Sequence, residues 1–448
     1  MTQSLSDLTK ALLSAAKAAG ADAADALAVD GTSVSIDVRG GALEHAERSE
    51  GIEIGLRVMM GKRQACVSAS DTSAATLAQM AERAVAMAKE APEDPVIGQA
   101  DPDDLAKNWD LDALELAESA EPPTPAELQD MAARAEAAAL AYDGIAQVSD
   151  AGAGYGGRRL HLEMSNGFSG GYQRTGTSLS VVAITGTGTE MERDYYGDSR
   201  IHAADLDAPE LIGRMAAERT LQRAGARKPP TGAYPVLYDE RVANSLIGHL
   251  MGAINGSSVV RGASFLRDAM DTPVLPDGLT LWEDPTLARV NGSRPFDGEG
   301  LPVSRRDIVA NGVLKGWVLD LATGRKLGLP STGNASRGTS APPSPSVSNL
   351  RITQGIQTQA ELLAEMGTGL LITSMIGSSI NATTGDYSRG ASGFWVENGE
   401  ITYPVNECTV AGNLRDMLRT MTPANDARMH LTRAIPSMRV EGLTIAGA

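Results

Sequence analysis

The stretch Asp239–Leu266, DERVANSLIGHLMGAINGSSVVRGASFL, decides how the rest of the chain is read. Asp239 can cap a helix, and Val242, Leu246, Leu250 and Ile254 follow at helical spacing. Asn255-Gly256 is a stop signal. The predicted helix carries Asn244, Ser245, Gly248 and His249, where a metal-binding helix would hold its ligands. Those four residues are not a metal set, and that shapes everything that follows.

Just upstream, Lys228-Pro229-Pro230-Thr231-Gly232 marks a domain boundary, dividing the chain into 1–228 and 229–448. Before it, the pattern is helix, antiparallel meander, helix, and it occurs twice. In the first pass Ser4–Ala19 reads as a helix, and Ala26–Arg39, Ala42–Ser49, Gly51–Met60 and Arg63–Ser70 as strands. Thr72–Glu90 is a second helix, capped by Thr72 or Asp71. Ala91–Pro125 is proline-rich and acidic and reads as a surface connection with one short helix, 112–118. In the second pass Ala126–Ala141 and Pro209–Ala224 are helices. Ile145–Gly156, Arg158–Asn166, Gly170–Thr187 and Glu190–Arg200 are strands between them. An internal duplication, 1–90 and 125–225, is one reading; recurrence of a common α+β pattern is the other.

After the boundary, Tyr234–Tyr238 is a short strand, and from Gly262 the chain is glycine-rich and strand-like. Asn311-Gly312 and Asn398-Gly399 sit between apolar runs, a strong hairpin signal. Gln359–Met366 and Asn413–Thr420 read as short helices. Ser331–Ser348 is poor in apolar residues and is expected to be a flexible loop or a segment ordered by a partner. The fold class is therefore α+β: an N-terminal α/β domain of helix–antiparallel meander–helix units, then a β-rich, barrel-like domain.

Composition narrows the function. The 448 residues are 42% hydrophobic but only 4% aromatic, which calls for aliphatic cores. A net charge of -17 repels phosphate backbones, so no nucleic-acid partner is expected. Two cysteines, Cys66 and Cys408, make neither a disulfide framework nor a zinc ribbon. The first twenty residues are an amphipathic helix rather than a signal peptide, and no stretch is long enough to span a membrane, so a cytoplasmic protein is expected. No GxSxG, Walker loop or dinucleotide fingerprint occurs. The string GAGYGG (152–157) opens no helix and reads as a turn.

Several long stretches resemble one family. They are GASFLRD (262–268), GSRPFDGEG (292–300), GVLKGWVLDLATGRKLGLPSTGNASR (312–337), GDYSRGASGFWVENGEITYPV (385–405), AGNLRDM (411–417) and PSMRVEGLTIAGA (436–448). All are similar to the TldD/PmbA family, also called the modulator of DNA gyrase family, and to its PmbA/TldE branch in particular. The resemblance implies a heterodimeric zinc metalloprotease that cuts unfolded or extended peptides. In it a TldD-type subunit holds zinc on an HExxxH helix, with a cysteine near the C-terminus, and the TldE-type subunit lacks the metal.

Laid on this chain, the HExxxH window falls on Asn244-Ser245-Leu246-Ile247-Gly248-His249. An Asn amide is a feeble zinc ligand, and the Ser245 hydroxyl does not ionise near neutrality to serve as base. The region implied to supply the cysteine, Pro423–Arg433, has none. Residues five apart lie about 140° apart on a regular helix, so an active window must be distorted, and Gly248 would tolerate an inherited bulge. His249 is expected either to pack with a backbone hydrogen bond or to touch a peptide. His45, His161, His202 and His430 show no ligand spacing.

The expectation is a non-catalytic TldE/PmbA-type subunit that carries no metal or cofactor itself. Zinc belongs to its TldD-type partner, and the chain forms a homodimer when alone. Arg261, Arg325, Lys326 and Arg337 are candidate peptide contacts, and the hairpin around Gly385–Gly393 and the loop Ser331–Ser340 are candidate cleft walls. Two other readings stand beside it: a self-sufficient homodimeric metallopeptidase with an atypical metal site, and a regulatory protein acting by protein contact.

Overall fold

The computed structural model describes residues 4–447. Its first half contains β1 (Ala23–Arg39), β2 (Ala42–Met60), β3 (Arg63–Ala69), β4 (Ile145–Met164), β5 (Ser169–Thr185) and β6 (Glu192–Arg200). Its helices are α1 (Leu5–Ala18), α2 (Ala74–Glu90), α3 (Leu111–Leu114), α4 (Pro125–Leu140) and α5 (Pro209–Gln222). The strands form one antiparallel sheet in the order β3-β2-β1-β4-β5-β6, with β1 and β4 paired at its centre.

Side-chain alternation explains how this sheet is dressed. Ala24, Ala26 and Ala28 of β1 pack on Leu8 and Leu12 of α1 and Ala81 and Ala84 of α2. Val34, Ile36 and Val38, on the same face further along, pack on Leu128 and Ala132 of α4 and Ile212 and Ala216 of α5. Both helix pairs thus cover one side. On the other side Leu27 and Val29 pack with Phe168 and with Phe296 of the second half.

The second half runs through β7 (Gly232–Tyr238), α6 (Glu240–Ala253), α7 (Gly256–Val260), β8 (Leu281–Glu283), β9 (Arg306–Ala310), β10 (Val313–Leu314) and α8 (Leu321–Leu327). It continues with β11 (Ala335–Ser336), β12 (Ser344–Pro345), β13 (Leu350–Ile352), α9 (Gln359–Met366), β14 (Gly369–Ile380), β15 (Asp386–Glu397) and β16 (Glu400–Asn413). It ends with α10 (Leu414–Arg419), β17 (Thr422–Pro423), β18 (Arg433–Ala434) and β19 (Met438–Ala446). Strands β16, β15, β14, β7 and β19 lie side by side, and β16 pairs back onto β19 to close a barrel. One face of this barrel wall, with Val236, Tyr238, Leu370 and Ile372, packs on Leu246, Ile247 and Leu250 of α6. The other face, with Leu237, Leu371 and Phe394, takes Leu362, Leu363 and Met366 of α9.

The α+β class, the barrel-like second half and both Asn-Gly hairpins are as read from the sequence. Asn311 and Gly312 have φ of 48° and 79°, Asn398 and Gly399 of 54° and 80°. Several details differ. The two strands expected at 42–49 and 51–60 are one, because Gly51 continues the ladder opposite Gly31. The two expected at 145–156 and 158–166 are likewise one strand, and GAGYGG runs through its middle instead of turning. Helix α2 is capped by Ser73, whose hydroxyl accepts the Thr76 N–H. Asn255 does more than end α6: its side chain accepts the Ser257 N–H and starts α7.

Candidate functional site

The site is built around α6, and the residues at the start of that helix fasten it to both halves of the chain. The Asp239 carboxylate accepts the Arg241 N–H, Arg241 Nε (2.8 Å) and Gln359 Nε2 (3.1 Å). Arg241 reaches on to Asp194 of β6 at 3.3 Å, and Glu240 meets Arg428 at 3.2 Å. A carboxylate at this end also suits the helix dipole.

One turn further on lies the window read from the sequence. Gly248 follows Asn244 and His249 follows Ser245 by four residues, so the four spread over an arc of about 140° of α6. The helix is regular α throughout Glu240–Ala253, so the expected bulge at Gly248 is absent among the described residues. Without an ion to satisfy at two positions five apart, nothing forces the ladder out of shape. Asn244 Oδ1, Ser245 Oγ and His249 Nε2 are sealed from solvent and have no hydrogen-bond partner. The backbone hydrogen bond expected of His249 is not made. Its ring instead stands edge-on to Tyr387 of β15, centroids 5.9 Å apart at 74°. Burial, and then the charge of Arg389, push the His249 pKa below the ordinary imidazole value.

The 423–433 segment does pass this helix, but what it delivers is basic. Arg428 pairs with Glu240, and an Arg433 guanidinium nitrogen lies 3.5 Å from where a Cβ on Gly248 would stand. Cys408 is buried elsewhere, its Sγ donating to the Ala391 carbonyl at 3.2 Å, and burial pushes its thiol up to about 11. Among the described residues no three His, Cys, Asp or Glu side chains gather as metal donors. A catalytic zinc needs three such donors and a nearby base. One imidazole, one amide and one hydroxyl beneath an arginine do not fit it.

Of the candidate peptide contacts, only Arg261 is left exposed without a side-chain partner among the described residues. Arg325 is spent on the chain's own backbone, donating to the carbonyls of Val96 (2.8 Å), Gly98 (2.8 Å) and Gln99 (2.7 Å). Lys326 pairs with Asp94 at 2.9 Å. Arg337 is buried against Asp25 of β1. The loop expected as a flexible segment or cleft wall, 331–348, is ordered by Leu319, Glu283 and Asp297 of its own half and, at Arg337, by Asp25 of the first sheet. The sequence missed the Arg337 pairing because its partner, Asp25, lies some three hundred residues upstream. Tyr387, Arg389 and Arg433 were missed too, since nothing in the local pattern places them over α6.

The Arg325 clamp gives a local test. Arg325→Ala should release the 94–100 connection, costing about 1–2 kcal/mol for hydrogen bonds made by a charged donor. Limited proteolysis should cut faster near Gly98, with the rest of the digestion pattern unchanged.

Comparison with known proteins agrees with this architecture. Models of the PmbA/TldA metallopeptidase match in three parts: domain 1 at residues 24–88, the central domain at 118–224 and the C-terminal domain at 231–447. Metalloprotease PmbA of Escherichia coli O157:H7 is 39% identical over 431 residues, 95% of this chain and 92% of that protein. The chain belongs to the PmbA/TldD metallopeptidase family. A Metalloprotease PmbA homolog of Haemophilus influenzae is 37% identical over 416 residues, 92% of this chain and 89% of that protein. Among solved structures, a proposed modulator of DNA gyrase from Bacteroides thetaiotaomicron superposes with a TM-score of 0.91 at 27% identity, over 98% of both chains. TldE from Thermococcus kodakarensis shares the PmbA/TldD fold, with a TM-score of 0.84 at 19% identity over 98% of this chain and 99% of that one. No described helix is long and apolar enough to cross a membrane.

Proposed function

We propose that this chain is the non-catalytic, PmbA/TldE-type subunit of a heterodimeric zinc metallopeptidase that degrades or processes extended peptides. A TldD-type partner supplies the zinc. The observation that carries the reading is the donor chemistry of α6: Asn244 and Ser245 stand where a ligand and a base are needed, and Arg433 stands over Gly248 of the same window. A guanidinium at that point would repel a divalent ion.

What this half can offer is a surface for substrate. Strand β7 pairs with β14 only through Leu370–Ile372, because the chain then turns into α6. From Thr373 onward β14 has β15 on one side and no strand on the other. Such an edge can hydrogen-bond an extended backbone regardless of side chains. The hairpin around Gly385–Gly393 borders it. The reading places the pair in the cytoplasm, where Cys66 and Cys408, both free here, stay reduced.

The test is reconstitution. The purified chain alone, homodimeric or not, should hold well under one zinc per chain and leave a flexible peptide uncut. Mixing it with a TldD-type protein should make peptidase activity appear, above that of either component. Stoichiometric zinc with hydrolysis by this chain alone would overturn the assignment in favour of a self-sufficient enzyme.

A further inference from the structure

The face of α6 that should hold a cation in an active relative has a different character here. Arg57, Arg241, Arg306 and Arg337 each face a carboxylate, and the buried Arg351 donates to the carbonyls of Leu350, Thr432 and Met429. Arg433 is half-buried and faces none, and it donates no hydrogen bond among the described residues. In a chain with a net charge of -17, an enclosed cation left without an anion is conspicuous. It sits over Gly248, the one position of the window with no side chain to exclude a ligand. The same helical window carries three sealed polar atoms, the acceptor Asn244 Oδ1 with Ser245 Oγ and His249 Nε2, none with a partner among the described residues. Tyr387 packs on the His249 ring, and Arg389 adds a second positive charge from β15 while one of its nitrogens, Nε, is held by the Gly377 carbonyl at 2.8 Å. Unmatched buried polar groups cost free energy unless something pairs with them.

We infer that this window is a carboxylate site. Arg433 would grip the anion as a planar fork, with the Ser245 hydroxyl as a neutral donor beside it. The inference rests on the peptide-binding reading above, since the unpaired edge of β14 runs alongside α6 and would lead an extended chain to it. A carboxylate suits the place better than a phosphate. It is planar and singly charged, matches one guanidinium two-to-two, and needs no third or fourth cation. The window has thus changed the sign of its ligand: the place of a bound cation and its base is taken by a bound acid and its arginine. The carboxylate can come from a peptide C-terminus or from an acidic side chain.

Three flexible peptides of one sequence separate these sources: one with a free C-terminal carboxylate, its C-terminal amide, and the amide with one internal residue replaced by Glu. Binding to the full chain is measured by calorimetry. The free acid should bind about tenfold or more tightly than the plain amide, as expected for one forked ion pair. If the Glu-containing amide recovers that affinity, the site takes acidic side chains as well. Arg433→Gln should remove the preference while leaving the thermal midpoint near that of the parent. The comparison among peptides on the unaltered chain needs no variant, so a poorly folded variant does not blunt the test. Equal affinity for all three, no binding of any, or a preference that survives Arg433→Gln overturns the site. Reconstituted peptidase activity together with equal affinities would sink the carboxylate site and leave the subunit assignment standing. Failure of reconstitution would do the reverse.

Discussion

Arg337→Ala should destabilise the protein by about 3 kcal/mol or more, the usual cost of stripping one partner from a buried ion pair. Asp25 is fully buried, and both Arg57 and Arg337 turn their guanidinium groups onto it. Arg57 Nε donates to one carboxylate oxygen at 2.7 Å, and Arg337 takes the other. Burial alone would push the Asp25 pKa up; the two arginines outweigh that and hold it below the ordinary carboxylate value. Asp25 and Arg57 belong to the first sheet and Arg337 to the second half, so the triad is a bolt between them. Next to it the backbone of Thr339 lies so close to Gly55 that a Cβ there would meet the Thr339 carbonyl at 2.1 Å. Denaturant titration of Arg337→Ala and Arg337→Lys measures the effect. Lysine, which keeps the charge and loses the fork, should fall between alanine and the parent. A change in Arg337→Ala below about 0.5 kcal/mol, the range of an ordinary surface substitution, would remove the bolt from the account.

Glu299 should make the protein lose stability as pH rises toward 8, by an amount on the order of 2 kcal/mol between pH 5.5 and 8. Its carboxylate is buried at the same junction, and it accepts only the Leu321 N–H, at 2.9 Å. Burial first, then the nearby charges of Asp297 and Asp320, raise its pKa from 4.5 to about 8. Below pH 4.5 the group is protonated in the folded and unfolded chains alike, and its contribution is fully present. From there upward the unfolded chain releases the proton and the folded chain keeps it, so stability declines until the folded group ionises near pH 8. Asp297, whose pKa is also raised by burial, adds to the same trend. Asp25 and Asp239, held low, act in acid below their ordinary value, and the lowered histidines His161, His249 and His430 act in the opposite sense up to the ordinary imidazole value, so the effect of Glu299 is read as the difference between parent and variant. Denaturation of the parent and of Glu299→Gln at pH 5.5 and 8 checks this. The glutamine variant should lose less stability than the parent across the interval, and an equal slope in both proteins would show that some other group carries the effect.

How much of this could be read without coordinates depended on the range of the forces involved. Helix α9 was legible to the residue because Thr358 and Glu361 form a capping box around its first turn. The two Asn-Gly hairpins were legible because those residues tolerate positive φ. Strand β2 was cut in two because its first half, 42–51, is exposed and carries Glu44, Glu47, Arg48 and Glu50. Those charges suit an unpaired sheet edge and hide its alternation. Arg325 and Arg337 looked like free cations, as their partners lie near residues 98 and 25. At α6 the vacancy of donors was plain from residue types, whereas the arginine above it came from strand β18 and left no local trace.

The closure of the barrel bears on how this chain is made. Strand β19 lies between β7 and β16, with Met438 opposite Tyr238. On a ribosome, β7, β14, β15 and β16 emerge before β19, leaving two raw sheet borders facing one another across an open seam. Until β19 has followed them, any extended segment could pair there. A nascent chain of this kind has reason to recruit a holdase before β19 emerges, and a stalled chain lacking β19 would be a seed for aggregation.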